Sequence, residues 1–276
     1  MNGIALRVSQ LLNPATGRSV IVAFDHGGSG VPKGGADVGH IVEAVGASGA
    51  EGLLVGPGVA RIAAEKLAHP GGPRLLVSLD APIFSPLPGE HGKLKDHIRV
   101  ATPEYALHLG ATAVKVLLPV GFADADRFAR SVDMLRTIAM DCHRIGLPLM
   151  VEPALWGEKA SETDNELIAH ACRMGVEIGG DILKIPAPPN AEVLAGIVRN
   201  SPVPVMVLGG SPRDAAGFVQ EVGTWMKSGA VGVVVGRNVW SRPQPKEAVA
   251  ALAATVHRGD AAAAAKAWAA AGEPGK

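Results

Sequence analysis

The chain is poor in cysteine, in net charge, in long apolar runs and in aromatic side chains, and most of these shortages remove a class of protein. Its two cysteines, Cys142 and Cys172, stand in helical-looking stretches with no metal-ligand spacing between them. That excludes a disulfide framework and fits ordinary thiols of a reducing compartment. Lysine plus arginine number 26, as do aspartate plus glutamate, so the formal net charge is zero. Nothing in that balance points to nucleic acid or an anionic membrane as partner. No apolar run reaches transmembrane length, and residues 1–19 lack the basic, then apolar, then small-residue order of a secretory signal. A soluble, cytoplasmic protein is the expectation. Aromatics make up only 4% of the chain whereas glycine reaches 35 residues, which suits helices packed closely on a sheet and is silent about chemistry.

What the chain does have is a regular alternation. Continuous apolar runs, the pattern of parallel strands covered on both faces, fall at residues 20–25, 52–56, 74–80, 113–120, 148–152, 181–185, 203–208 and 231–236. Helical patterns lie between them at 37–47, 59–68, 103–109, 124–145, 163–178, 191–200 and 212–227, and an Ala-rich segment from Lys246 onward supplies the last. Thr102-Pro103, Asn190 and Ser211-Pro212 are helix-start signals. Strand then helix, eight times, predicts a single (β/α)8 TIM barrel of the α/β class over residues 1–276, with an N-terminal helix before it and an Ala-rich helix closing it. An open doubly wound sheet is the second reading. The longest irregular stretch, 81–98, follows the third strand and is a candidate active-site loop.

In such a barrel, functional groups come from the C-terminal ends of the strands. Asp25 and His26 end the first strand and Asp80 the third; Lys115 lies on the fourth, Glu152 on the fifth and Lys184 on the sixth. Period-two alternation can turn all of them into one interior. Lys184 is the most telling. A buried ammonium is paired, bent out to water, or held neutral for chemistry, and a neutral lysine amine adds to carbonyls to form a Schiff base. To do so near pH 7 it must titrate well below the free value of about 10.4; burial pushes that way, and so does a second cation such as Lys115. The iminium would then act as an electron sink for breaking the adjacent C–C bond, with Glu152 or Asp25 taking the proton of the substrate hydroxyl. Lys115 with Glu152 also reads as a plain buried ion pair, and Asp80 before Ala81-Pro82 as a turn former.

Two glycine-bearing turns, Leu208-Gly209-Gly210-Ser211-Pro212 and Val235-Gly236-Arg237-Asn238, follow the seventh and eighth strands, where this architecture commonly binds phosphate. Arg237 adds a charged fork suited to phosphate oxygens; backbone geometry alone is the other reason for glycine there. Gly27-Gly28-Ser29-Gly30 lacks the spacing of a dinucleotide fingerprint and reads as a mobile loop. His26 either orients substrate or is a hydrogen-bonded structural group. His91 and His97 have no carboxylates or cysteines at ligand spacing, so no metal is expected. Trp156 lines the pocket or caps the barrel. Arg61, Arg99 and Arg213 are available for the far end of a substrate, which the sequence leaves open as phosphate, sulfonate or neither.

Taken together, Phe24-Asp25-His26-Gly27, Asp181-Ile182-Leu183-Lys184, Leu208-Gly209-Gly210-Ser211 and Val235-Gly236-Arg237-Asn238-Val239-Trp240 resemble the class I aldolases of the archaeal-type fructose-bisphosphate and deoxyribose-phosphate aldolase superfamily. The likeness covers essentially the whole barrel. It implies Lys184 as the Schiff-base lysine, Asp25 as a catalytic or hydroxyl-binding group, and Gly209, Gly210, Ser211, Gly236 and Arg237 as the phosphate site; His26 and Asp80 complete the candidate substrate ligands. The archaeal-type enzymes carry a tyrosine before proline at the end of the fifth strand as proton donor, where this chain has Val151-Glu152-Pro153. That Glu-Pro, with a lysine on the fourth strand, is more similar to tagatose bisphosphate aldolase and sulfofructose phosphate aldolase. It implies a catalytic trio of Lys115, Glu152 and Lys184 in which Glu152 transfers the proton. The implied activity needs no cofactor and no metal: a homo-oligomer that cleaves or forms a C–C bond in a phosphorylated ketose, with release of dihydroxyacetone phosphate. The alternatives are a thiolase-like acyltransferase that requires coenzyme A and a non-catalytic barrel that binds a sugar phosphate.

Overall fold

The computed structural model describes residues 3–29, 34–84, 94–161, 164–211 and 215–274. In chain order its strands are β1 (Ser19–Phe24), β2 (Gly52–Val55), β3 (Arg74–Ser78), β4 (Asp80–Phe84), β5 (Leu94–Arg99), β6 (Ala113–Val120), β7 (Leu149–Leu155), β8 (Ile182–Ile185), β9 (Val205–Leu208) and β10 (Gly232–Val235). Eight of them close a parallel barrel in the order β1-β10-β9-β8-β7-β6-β3-β2, and β4 with β5 forms a separate two-stranded antiparallel sheet. The ring is sealed by β1 against β10, with Ser19 opposite Gly232. The protein is a (β/α)8 TIM barrel.

Helices cover the outside because each carries one apolar stripe. In Ala125–Ile145 the buried residues Leu135, Ile138, Ala139 and Cys142 recur at helical spacing, so one face lies on the sheet and the other meets water. Thr102, Asp124 and Asn190 cap their helices by accepting backbone N–H groups, as their side-chain oxygens allow.

Inside the barrel, Ile21, Ala23, Leu54, Leu76, Ala113, Met150, Ile182, Met206 and Val234 form one buried apolar cluster, joined by Leu11 from just beyond the helix Gly3–Gln10. Side chains on a strand return to the same face every second residue. Two residues further along the chain stand Asp25, Ser78, Lys115, Glu152, Lys184 and Gly236. The apolar cluster is therefore the floor on which a polar layer sits.

Several sequence expectations need correction. The 81–98 stretch is not irregular at its ends: β4 and β5 pair with Asp80 opposite Arg99 and Pro82 opposite His97, and its middle, with His91, lies outside the described residues. The glycine-rich segment after β1 is wound into a 3-10 turn over His26–Ser29; Gly30 lies outside. The fifth barrel strand runs to Leu155, beyond the expected end at residue 152. The Ala-rich segment makes two helices, Pro245–Ala253 and Ala261–Ala270, parted by a π-helical turn and by Gly259 in the left-handed region, a conformation glycine adopts without penalty. The helix expected from residue 212 is described from Ala215; Pro212 and Arg213 fall outside. Among the described residues no helix is long and apolar enough to cross a membrane.

Candidate active site

Four barrel strands and the hairpin deliver charged groups to one point at the C-terminal mouth. The Lys184 amine, from β8, lies 2.9 Å from Glu152 Oε2 on β7. The same oxygen is 3.3 Å from the Lys115 amine on β6. Lys115 also reaches Asp25 Oδ2 at 3.1 Å and Asp80 Oδ1 at 3.6 Å. Asp25, one residue past β1, accepts the Ser78 hydroxyl at 2.6 Å. All of these side chains are buried or nearly so, and in such surroundings charges act on each other strongly.

Two lysines therefore face three carboxyl side chains. Burial raises the Asp25 carboxyl, but Lys115 above all, with Lys184 and His26, outweighs it and holds Asp25 well below the usual carboxylate range. Asp80 is depressed in the same way, against its burial, by Lys115 and His97. Burial alone would lower Lys115; Asp25, Asp80 and Glu152 together raise it above the ordinary lysine value. Lys115 is thus a fixed cation at neutral pH. His26, pushed below its ordinary value chiefly by burial, stands with Nδ1 3.8 Å from Asp25 Oδ1, beyond hydrogen-bond reach, and sets its ring edgewise on Trp240 at 5.5 Å.

Asp80 is more than a turn former. One oxygen accepts the backbone N–H of Leu117 at 2.6 Å and makes a short contact with His97 Nε2, while the other faces Lys115. His97, considered in the sequence only as a metal candidate, is a clamp from the hairpin. Its partner lies 17 residues away across an antiparallel pairing that no apolar pattern announces. Ser78 was likewise unreadable, one small polar residue inside an apolar run. Among the described residues no group of three or more His, Cys, Asp or Glu side chains is arranged to hold a metal.

The two glycine turns meet beside this cluster. Asn238 donates its side-chain amide to the carbonyls of Gly209 and Ser211, each at 3.0 Å, and so ties the turn after β10 to the turn after β9. Gly210 has φ +65°, and a Cβ on Gly236 would meet Ala23 O at 2.7 Å and His26 Cε1 at 2.8 Å, so both positions require glycine. Arg237 is half-buried, with its Nε unpartnered among the described residues. The ionisable cluster, Gly209, Gly210, Ser211, Gly236 and Arg237 line one cavity of about 600 Å3, whose remaining wall includes Phe84, Trp156, Pro186 and Leu208. Arg61 and Arg99 are exposed and do not line it.

A lysine amine, a carboxylate in contact with it and a second, fixed ammonium beside both suit carbonyl chemistry. Residues 19–242 match the model of the DeoC/LacD family aldolases. The chain belongs to the DeoC/LacD aldolase family. This aldolase is 30% identical over 260 residues to 2-amino-3,7-dideoxy-D-threo-hept-6-ulosonate synthase 1 of Archaeoglobus fulgidus, covering 93% of this chain and 92% of that one. It is 32% identical over 171 residues, 61% of each chain, to the 2-amino-4,5-dihydroxy-6-oxo-7-(phosphonooxy)heptanoate synthase of Streptomyces griseus. Among solved structures it superposes with a TM-score of 0.78 and 25% identity, over 92% of this chain and 99% of the other, on an archaeal fructose-1,6-bisphosphate aldolase whose catalytic lysine is covalently bound to the carbinolamine intermediate of its substrate. The family and these likenesses make the protein a class I aldolase.

Proposed function

We propose that Lys184 is the Schiff-base nucleophile and that the aldolase makes or breaks the C–C bond between the carbons α and β to the carbonyl of a ketose phosphate, with dihydroxyacetone phosphate as the donor half. The observation that carries this reading is the 2.9 Å contact between the Lys184 amine and Glu152, with Lys115 fixed beside both. In the cleavage direction the amine adds to the ketone and water leaves, giving an iminium. Glu152 takes the proton of the hydroxyl on the far carbon of the bond to be cut. That bond breaks, its electron pair flows into the iminium to form an enamine, and the aldehyde departs. The enamine carbon recovers the proton from Glu152, and water hydrolyses the iminium to release the donor and free the amine.

Three features support a phosphorylated donor. The glycine turns present backbone at the end of the barrel where anions commonly bind, Arg237 has a buried Nε with no partner among the described residues, and the Streptomyces griseus relative is named for a product with a ketone beside a phosphonooxy-bearing carbon. Lys115, fixed beside Glu152, would hold a substrate oxygen. Incubation with dihydroxyacetone phosphate and borohydride should leave a reduced adduct on the peptide containing Lys184. Aldol turnover without an adduct at that residue would overturn the assignment.

A further inference from the structure

We propose that the aldehyde half of the substrate is unphosphorylated and uncharged, with an apolar or flat carbon chain that lies against Phe84 and Trp156. This deepens the Schiff-base reading above and rests on it. The order of strands gives the direction of the bound molecule. The anion end is built by the turns after β9 and β10, the amine stands on the next strand, β8, and the proton-transferring carboxylate on the next again, β7. A ketose phosphate with its phosphate at the first point and its carbonyl carbon at the second has its reacting hydroxyl at the third. The remaining carbons continue past Glu152, towards the residue that leaves β7, Trp156.

That end of the cavity is apolar. Trp156 meets Phe84 of the hairpin edge to face, with ring centroids 5.7 Å apart. Pro82, Leu155 and Pro186 also line the cavity. In the ring of eight, β3, from which the hairpin springs, is diametrically opposite β9, and β7, which Trp156 follows, lies beyond β8 from β9, so the strand that carries Lys184 stands between the glycine turns and Trp156. Trp156 is 41% exposed, and a bound apolar chain would take some of that surface out of water.

A second phosphate is poorly served there. Among the described residues lining the cavity, the basic side chains are Lys115 and Lys184 in the central cluster, Arg237 beside the glycine turns, and His26. Lys115 already faces Asp25, Asp80 and Glu152, so an anion moving past Glu152 would meet carboxylates and lose its hydration without a partner.

The test is the specificity of the full-length enzyme with dihydroxyacetone phosphate as donor and two acceptors, glyceraldehyde 3-phosphate and an uncharged branched or aromatic aldehyde. The wild-type protein should favour the uncharged aldehyde in kcat/KM by roughly tenfold or more, the scale on which an apolar pocket discriminates. Trp156→Ala should lower kcat/KM for that aldehyde by about as much, chiefly through KM, and leave borohydride trapping of the donor on Lys184 intact. Trp156→Arg should shift preference towards the phosphorylated aldehyde. A wild-type preference for glyceraldehyde 3-phosphate, or an equal loss for both aldehydes in Trp156→Ala, with donor trapping intact, would overturn this inference alone. Loss of trapping in the wild-type enzyme would overturn the Schiff-base reading and this one with it.

Discussion

One oxygen of Glu152 touches two amines: Oε2 is 2.9 Å from Lys184 and 3.3 Å from Lys115. A proton on that carboxylate is thus within reach of the group that would attack the carbonyl, while the neighbouring cation keeps its own proton. Replacing Glu152 by glutamine keeps the shape and a hydrogen-bonding oxygen but removes the ability to accept a proton. Glu152→Gln should lower kcat by about 10²- to 10⁴-fold and still give a borohydride-reduced adduct with dihydroxyacetone phosphate. Unchanged turnover in this variant would assign the proton transfer to another group, with Asp25 the nearest candidate.

The two lysines should differ sharply when each is replaced by methionine. Lys184→Met removes the nucleophile, so the adduct and aldol turnover disappear together, while Lys115 remains to balance the carboxylates and the fold survives. Lys115→Met leaves Asp25 and Asp80 buried without their main counter-charge, and breaking a buried pair from one side costs on the order of 3–5 kcal/mol. Urea unfolding of the two variants decides the matter. Equal midpoints would mean that Lys115 does not hold the cluster together.

The same charges set a dependence of stability on pH. Asp25 and Asp80 titrate lower in the fold than in the unfolded chain, so the stability they contribute is present above the unfolded value of about 3.9 and is lost as pH falls below it towards the folded values. Lys115 titrates higher in the fold; its contribution is full below the unfolded value of about 10.4 and is lost as pH rises through the folded value. Urea midpoints should therefore fall from pH 5 to pH 3. In Lys115→Met the carboxylates lose the cation that depresses them and burial raises them instead, so the acid limb should flatten or reverse. An acid limb as steep in the variant as in the wild type would show that Lys115 is not its origin.

The barrel was legible because strands covered on both faces are continuous apolar runs, and a charged residue interrupting such a run is conspicuous. Lys115, Glu152 and Lys184 stood out by that contrast and by their place late in their strands. Strand ends were less readable. Pro153 suggests a stop, yet β7 continues to Leu155 beside β6, past the last pairing with β8 at Val151 and Leu183, where a missing N–H costs no bond on that side. The hairpin was hidden because Pro82, Pro86, Pro88, Gly89 and Gly92 break any alternation between its strands. His97 was hidden with it, since its link to Asp80 exists only through the pairing of those strands. The role of Asn238 was equally invisible: nothing in a Gly-Arg-Asn sequence says that the amide reaches back to the preceding turn.

That amide gives the last prediction. Asn238 is buried and donates to the carbonyls of Gly209 and Ser211, so it fixes the spacing of the two turns without itself lining the cavity. Asn238→Ala leaves those two carbonyls short of a donor, at about 1–3 kcal/mol each if no water replaces it, and frees the turns to drift apart. Backbone N–H groups that bind an anion together act only when held at one spacing, so the loss should fall on donor binding. KM for dihydroxyacetone phosphate should rise and inhibition by inorganic phosphate should weaken by a similar factor, while kcat at saturating donor changes little because Lys184 and Glu152 sit on other strands. Asn238→Asp, which keeps the size but not the donor, should behave like the alanine variant. If either protein folds with phosphate inhibition unchanged, the anion is not held between these turns and Arg237 must bind it elsewhere.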